Sequence, residues 1–445
     1  MARITAFVDE GLGHSSYLVD LGDGRALVID PPRIADEQRS YASAANLEIA
    51  FTADTHTHAD YVSGSSQLAA ARATFLAPEA AHLETPHTPL ADGDTVPVGN
   101  YALRAVATPG HTPDHLAYLL LEGGKPVALF SGGSLMAGTA GRTDLAGPER
   151  TKELARAQYH TLVERILTLP DDLAVYPTHG QGSFCAASGA LRRTTTIGRE
   201  SQTNPLLQLE EDDFVEQLVA GFGTLPKYFG RLPEINRRGP RLYDSVPSLK
   251  PLSAADVAQH IGDGGVVVDT RPVEAFAAGH IVGSISNALR PAFATWLAEI
   301  VTGDTAIAFV VDHIADEYEV VRQALSVGHD HLRGVLDGGI DEWQLAGNSV
   351  TSIGLVTAEQ LDGHIIDVRQ HDEYHAGHVP KADNIELGSI SDAQIAEPVT
   401  LMCGHGERAT TAASLMARSG HNDVRVLVGG PDDWAKSHGT ALERQ

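Results

Sequence analysis

Two imidazoles stand two residues apart in Asp54-Thr55-His56-Thr57-His58-Ala59-Asp60-Tyr61, directly after an apolar run. Side chains at i and i+2 on a chain leaving a strand point to the same side, so His56 and His58 can grip one ion. Imidazole nitrogen suits zinc, iron or nickel, and a carboxylate two residues on, Asp60, can ligate the ion or orient its neighbours. Alone, the spacing also fits a polar loop whose histidines bond water. It is not alone: Thr108-Pro109-Gly110-His111 offers His111 from a tight turn, and Thr178-His179-Gly180 follows another apolar run. A second kind of chemistry belongs to Cys403-Gly404-His405-Gly406-Glu407-Arg408, which follows Val399-Thr400-Leu401-Met402 and precedes a helix expected from Ala409. At a helix N-terminus, backbone N–H groups and the helix dipole favour a thiolate, and Arg408 adds positive charge, so Cys403 reads as a nucleophile. The amides of Gly404 to Arg408 would cradle an anionic sulfur group bound to it.

These residues need elements to hold them. Leu47 to Thr52 reads as the strand that delivers the histidine pair, and Tyr101 to Ala107, Val127 to Phe130 and Ala174 to Tyr176 as the strands before the other turns. Ile4 to Val8, Ser15 to Leu21 and Ala26 to Ile29 read as an antiparallel meander. Gly64 to Ala73 has helical spacing, so helices and strands alternate as in a layered α/β unit, whose strand ends collect ligand groups. Glu149 to Leu169 reads as a surface helix, and the Pro-, Gly- and Arg-rich segment from Leu225 to Pro240 as a linker that also packs.

A chain of 445 residues exceeds one ordinary core, and a prior of roughly 150 residues per domain suggests about three. Acidic residues outnumber basic ones by 58 to 32, which disfavours nucleic acid and anionic membrane as partners. No apolar run approaches the ~18 residues of a membrane span, and no leader pattern opens the chain, so a cytoplasmic location is expected. Two cysteines far apart, Cys185 and Cys403, cannot form a disulfide framework. An internal repeat begins near residue 252: Val266-Val267-Val268-Asp269-Thr270-Arg271 with Gly279-His280-Ile281 is matched by Ile365-Ile366-Asp367-Val368-Arg369 with Gly377-His378-Val379. Each copy has the pattern of a parallel α/β unit with a site at the carboxyl ends of its strands. At the place of Cys403 the first copy has Asp312-His313-Ile314-Ala315-Asp316-Glu317, without a cysteine, and reads as a structural or docking module.

The segments His56-Thr57-His58-Ala59-Asp60, Thr108-Pro109-Gly110-His111-Thr112-Pro113, Gly141-Arg142-Thr143-Asp144-Leu145 and Thr178-His179-Gly180 resemble the metallo-β-lactamase superfamily, and within it the persulfide dioxygenases related to glyoxalase II. The resemblance implies an αβ/βα sandwich with one ferrous ion, held by His56, His111 and an aspartate. At the position it assigns to that aspartate stands Gly133, which leaves His58, Asp60, Asp144 or water to complete the set; His56, His58 and His111 together would suit zinc with an open fourth position. Tyr61 occupies the place of a histidine of two-metal hydrolases. Arg142 and Asp144 read as an ion pair fixing a loop, and Cys185 resembles a serine-x-cysteine segment of dioxygenases fused to sulfurtransferases, though a lone cysteine is more often inert and buried. Residues 252 to 440 resemble the rhodanese sulfurtransferases, which implies a persulfide carried on Cys403.

The expected layout is therefore residues 1–240 as the sandwich, 252–348 as a rhodanese-like unit lacking the cysteine, and 354–445 as one bearing Cys403. The expected function is oxidation of a low-molecular-weight persulfide to sulfite at a mononuclear divalent metal, Fe(II) or alternatively Zn(II), with sulfane sulfur transferred through Cys403. Small thiols, persulfides, sulfite and thiosulfate are the expected partners, in a homo-oligomer. The alternatives are a metal-dependent thioesterase with attached sulfurtransferase, and a sulfur-binding scaffold whose first domain has lost catalysis.

Overall fold

The computed structural model describes residues 2–187, 192–243, 245–396 and 398–444. The chain separates into two units, one formed by Met1–Ser245 with Leu325–Gly328, the other by Val246–Ala324 with His329–Gln445.

The first unit is a sandwich of two six-stranded sheets. One sheet runs in the order Arg3–Asp9, His14–Asp20, Arg25–Ile29, Glu48–Ala53, Thr74–Pro78, Thr88–Leu90. Its first two pairings are antiparallel, the meander expected from sequence, and the next three are parallel. The second sheet runs Thr195–Thr196, Ala174–Pro177, Lys125–Gly132, Leu116–Glu122, Tyr101–Ala107, Thr95–Val98. Tyr17, Leu27 and Leu76 from one sheet meet Leu103, Tyr118 and Phe130 from the other, all buried, and this apolar layer holds the sheets together. Because strand side chains alternate, the same strands bury their other faces under helices. Leu18 and Val28 pack with Ala42 of the helix Asp36–Ala44 and Leu68 of the helix Ser65–Ala70, while Leu119 and Leu129 pack with Phe214 and Leu218 of Glu211–Ala220.

Two expectations change in detail. The helix from Glu149 is α-helical only over Thr151–His160 and continues as a π-helix over Thr161–Ile166. The segment read as a linker folds into a 3₁₀ turn, Lys227–Gly230, and an α-helix, Leu232–Arg238, whose Pro233 sits in the first turn where no N–H is needed.

The second unit contains two five-stranded sheets, parallel throughout and built in the same order. The first is Pro251–Leu252, Leu332–Leu336, Ile307–Val310, Val266–Asp269, Ile285–Ser286; the second is Gly354–Val356, Val424–Leu427, Val399–Met402, His364–Asp367, Asp383–Asn384. The repeat extends to side chains. Arg271 donates to Asp269 and to the carbonyl of Gly279, and Arg369 donates to Asp367 and to the carbonyl of Gly377. His280 stacks on Phe276 and His378 on Tyr374, each with centroids 3.8 Å apart, so the Gly-His pairs of this unit serve packing.

Candidate metal centre and cysteine loop

The strand Glu48–Ala53 delivers its loop to the C-terminal edge of the first sheet, where Asp30 waits at the end of the neighbouring strand. Asp30 accepts hydrogen bonds from the Thr55 amide at 2.7 Å and the Thr55 hydroxyl at 2.8 Å, and from the Thr178 hydroxyl. With its proton given to Asp30, Thr55 Oγ1 accepts from His56 Nδ1 at 2.9 Å. That fixes the tautomer of His56 and leaves its Nε2 as a lone pair.

His111 is oriented by its Nδ1 donating to the carbonyl of Arg142 at 2.7 Å and by its amide donating to Gln158 Oε1 at 2.8 Å. Its Nε2 is buried without a partner. The ring lies in a slot between two glycines: an ideal Cβ on Gly133 would stand 2.1 Å from His111 Cδ2, and one on Gly141 2.7 Å from Nδ1. Gly133 thus does more than omit a carboxylate, since the imidazole of His111 occupies the space any side chain there would need. Gly133 is itself positioned by its amide, which donates to His115 Nε2 at 2.9 Å, while His115 Nδ1 donates to Thr108 Oγ1 at 2.7 Å.

His179, at the end of the strand Ala174–Pro177, completes the convergence. Its Nε2 is 3.4 Å from His56 Nε2, and its Nδ1 lies 3.3 Å from Asp60 Oδ2. Ligand atoms of His56, His111 and His179 fall within 4.8 Å of one another, as do those of His58, Asp60 and His179 and those of Asp30, Asp54 and His58. Burial, reinforced by neighbouring imidazoles, holds His56 and His111 well below the ordinary histidine range. Both are therefore neutral at pH 7, the state that binds metal. His111 Nε2, His179 Nδ1 and both oxygens of Asp60 are buried with no well-formed hydrogen bond, around a His56 Nε2 that faces only another imidazole nitrogen at 3.4 Å, a costly arrangement unless a cation sits among them. The residues present fit a divalent metal.

His58 is placed differently from His56. Its Nε2 is 3.2 Å from Asp30 Oδ1 and 3.0 Å from the Tyr61 hydroxyl, and only its Nδ1 is left over, on the side of Asp60 and His179. Burial opposes protonation of His58, yet the Asp30 carboxylate outweighs it and the pKa is raised. Asp144 does not reach the histidines: both its oxygens accept from Arg142 at 2.7 Å. Arg142 also donates to the carbonyls of Phe184 and Gly223, at 2.9 and 3.0 Å, so the pair clamps the loop whose carbonyl orients His111. Cys185 is fully buried, and burial, with Asp60 next, pushes its thiol up, so it stays protonated.

One residue had no signal in the sequence. Asn236, on the helix Leu232–Arg238, donates to the carbonyls of His58 and Tyr61 at 2.8 and 2.9 Å and accepts from the Ser63 amide at 2.8 Å. It ties down the histidine loop from 173 residues away.

In the second unit, Cys403 follows the strand Val399–Met402, and the helix begins at Glu407, two residues earlier than expected, with Gly406 as its cap at φ 110°. That positive φ suits glycine alone, and it turns the Gly406 amide toward Cys403 Sγ, to which it donates at 3.1 Å. Gly430 lets the loop pack closely, since a Cβ there would stand 2.3 Å from the carbonyl of Gly404. Arg408 is spoken for: it donates to both oxygens of Glu373 at 2.6 and 2.8 Å. His405 is exposed and Glu407 half-buried.

Residues 253–346 and 355–437 each match the rhodanese-like domain family. A solved metallo-β-lactamase structure from Staphylococcus aureus subsp. aureus COL superposes on 75% of this chain and 98% of its own, with a TM-score of 0.68 and 27% identity. The chain joins a metallo-β-lactamase fold to two rhodanese-like domains. It is similar to the human mitochondrial persulfide dioxygenase ETHE1, 29% identical over 228 residues, which cover 48% of this chain and 78% of that one. It is also similar to a hydroxyacylglutathione hydrolase of Cupriavidus taiwanensis, 29% identical over 244 residues, 47% of this chain and 88% of the relative. The rhodanese-like domains place this chain's chemistry in sulfur metabolism. Among the described residues, no helix is long and apolar enough to cross a membrane.

Proposed function

We propose that the metallo-β-lactamase unit oxidises a low-molecular-weight persulfide to sulfite, and that the last rhodanese-like domain moves sulfane sulfur on Cys403. The observation that supports the first half is the convergence of ring nitrogens of His56, His111 and His179 from three separate turns, within 4.8 Å of one another and beside Asp60, with His111 Nε2 left without a partner. Those three histidines would hold one divalent metal, Fe(II) in this reading, with Asp60 beside His179 and His58 behind the loop. When bound, a ferrous ion supplies redox access to dioxygen and a Lewis-acidic position for the persulfide sulfur. The overall change balances as RSSH + O₂ + H₂O giving RSH, SO₃²⁻ and two protons, the sulfane sulfur losing the four electrons that dioxygen gains.

The chain's own residues orient and exclude. Asp30 through Thr55 sets the tautomer of His56, the Arg142 carbonyl sets that of His111, and burial of all three rings keeps bulk water from the reacting sulfur. In the other half, the Cys403 thiolate attacks the outer sulfur of a persulfide or of thiosulfate. The old S–S bond breaks, thiol or sulfite leaves with the electron pair, and a persulfide remains on Cys403. The Gly406 amide is aimed at that sulfur. We assign the sandwich to 1–240, the cysteine-less module to 252–348 and the transferase to 354–445.

A second reading is supported by the His58, Asp60 and His179 donor group and by the hydroxyacylglutathione hydrolase relatives: a metal-dependent thioesterase. Tyr61, bonded to His58, weighs against it. Oxygen uptake separates the two. The iron-loaded protein is expected to consume one O₂ per glutathione persulfide and to leave a hydroxyacylglutathione thioester intact; thioester hydrolysis without oxygen uptake would reverse the assignment.

A further inference from the structure

The first rhodanese-like domain has no cysteine, but it does not stand clear of the Cys403 loop. Trp296, on its helix Phe293–Ile300, presents its ring to Arg408 of the second domain, with the guanidinium carbon 5.4 Å from the ring centroid. The Ser286 amide donates to Ser414 Oγ at 3.1 Å, on the helix that Cys403 introduces. Between the two domains lies a cavity of about 360 Å³, lined from the first by Glu274, Arg290, Asp312 and Asp316 and from the second by His405 and Glu407.

The charge in that cavity is lopsided. Four carboxylates face it, and Arg408 is neutralised by its bidentate pair with Glu373. Arg290 is the exception: its Nε is shut off from solvent with no hydrogen-bond partner. Its backbone is held in place, since its carbonyl accepts from Gln323 Nε2 at 3.2 Å and from the Phe293 amide at 2.9 Å. Arg290 shares the cavity wall with His405 and Glu407, the second and fourth residues after Cys403 on its loop, and burial, opposed by Glu407 and Cys403, lowers the pKa of its guanidinium. A dianion such as thiosulfate entering a cavity with four carboxylates needs a cation at its far end, and an Arg guanidinium matches the oxygens of a sulfonate.

We propose that Arg290, supplied by the cysteine-less domain, is the residue that binds the anionic oxygens of the sulfur donor at Cys403. The first domain is then half of the sulfurtransferase site. This rests on the reading of Cys403 as the sulfur carrier, and the test keeps the two apart. In the full-length protein, with thiosulfate as donor and cyanide as acceptor, Arg290→Ala is expected to raise KM for thiosulfate about 10-fold or more, the loss of one charge-assisted hydrogen-bonded contact. KM for cyanide and kcat should stay within about twofold, and Arg290→Lys should recover part of the loss. Alkylation of Cys403 by iodoacetamide, followed on its own peptide across pH, should shift its midpoint upward by about half a unit or more in Arg290→Ala, the neighbouring Glu274, Asp312, Asp316, His405, Glu407 and Arg408 being unchanged. A thiosulfate KM within twofold of the parent, or an unmoved midpoint with Arg290→Gln where the alanine variant does not fold, overturns the proposal. If the parent protein moves no sulfur from thiosulfate at all, the reading of Cys403 fails, and the alkylation midpoint still judges Arg290.

Discussion

Replacing Gly133 by alanine tests whether the missing carboxylate is an empty position or a slot that His111 fills. The added Cβ would stand 2.1 Å from His111 Cδ2 and 2.6 Å from Nε2. Carbon atoms in contact settle at about 3.5–4.0 Å, so the ring would have to retreat by about 1.5 Å. Gly141 closes the other side of the slot, and the bond from Nδ1 to the Arg142 carbonyl at 2.7 Å holds the ring there. Overpacking of this kind costs about 1–3 kcal/mol, and the lost buried hydrogen bond about 1 kcal/mol more. Disturbing the partner that orients a metal-binding histidine typically costs about 10–100-fold in metal affinity. The expectation is therefore a metal-free protein less stable by about 2–4 kcal/mol in urea unfolding, and Fe(II) or Zn(II) binding weaker by at least about tenfold in an anaerobic chelator competition. Gly133→Ala with parental stability and metal affinity would refute the account of how His111 is held.

Three further outcomes are expected. Cys403→Ser should abolish thiosulfate:cyanide sulfurtransfer and leave metal content untouched, because the two sites lie in different units; retained transfer would remove Cys403 from the mechanism. Asn236→Ala, which deletes three buried hydrogen bonds to the histidine loop, should destabilise the protein by roughly 2–4 kcal/mol and lower its metal affinity, and a thermal midpoint unchanged from the parent would contradict the role given to Asn236. Burial opposes ionisation of Glu373, but Arg408 outweighs it and the folded pKa lies below the ordinary 4.5. The ion pair's contribution is thus present above about pH 4.5 and lost as pH falls through the lowered folded value. Since Glu373 is partly exposed the effect is modest, and Glu373→Gln should flatten the acid limb of a stability-against-pH curve in that window; an unaltered limb would count against the pairing.

The parts of the sites legible in the sequence are those written within a few residues. Strand-then-histidine turns announced His56, His111 and His179, and the glycines after Cys403 announced a loop opening a helix. The repeat was visible because Asp269 with Arg271 and Asp367 with Arg369 keep the same local bonds. What escaped depends on contacts between distant segments. The turn of His179 is legible but its place among the ligands is not: the ligand set that the resemblance implies omits it, although its nitrogen comes to 3.4 Å from that of His56. The positive charge that Arg408 brings to the loop is neutralised by Glu373, 35 residues away in sequence. Asn236 lay in a stretch whose proline and arginines suggested a linker, and its amide has meaning only once the helix carrying it packs under the histidine loop. In the sequence Gly133 is only a missing carboxylate; the ring of His111 that fills its place comes from a separate turn.

Anomalous scattering at the iron edge, on crystals of the protein loaded with Fe(II) under anaerobic conditions, tests the central claim most directly. The expected result is one peak per chain, bounded by the Nε2 atoms of His56, His111 and His179 and lost in His111→Ala. No peak among these three rings, or a peak centred on Asp30, Asp54 and His58 instead, would contradict it.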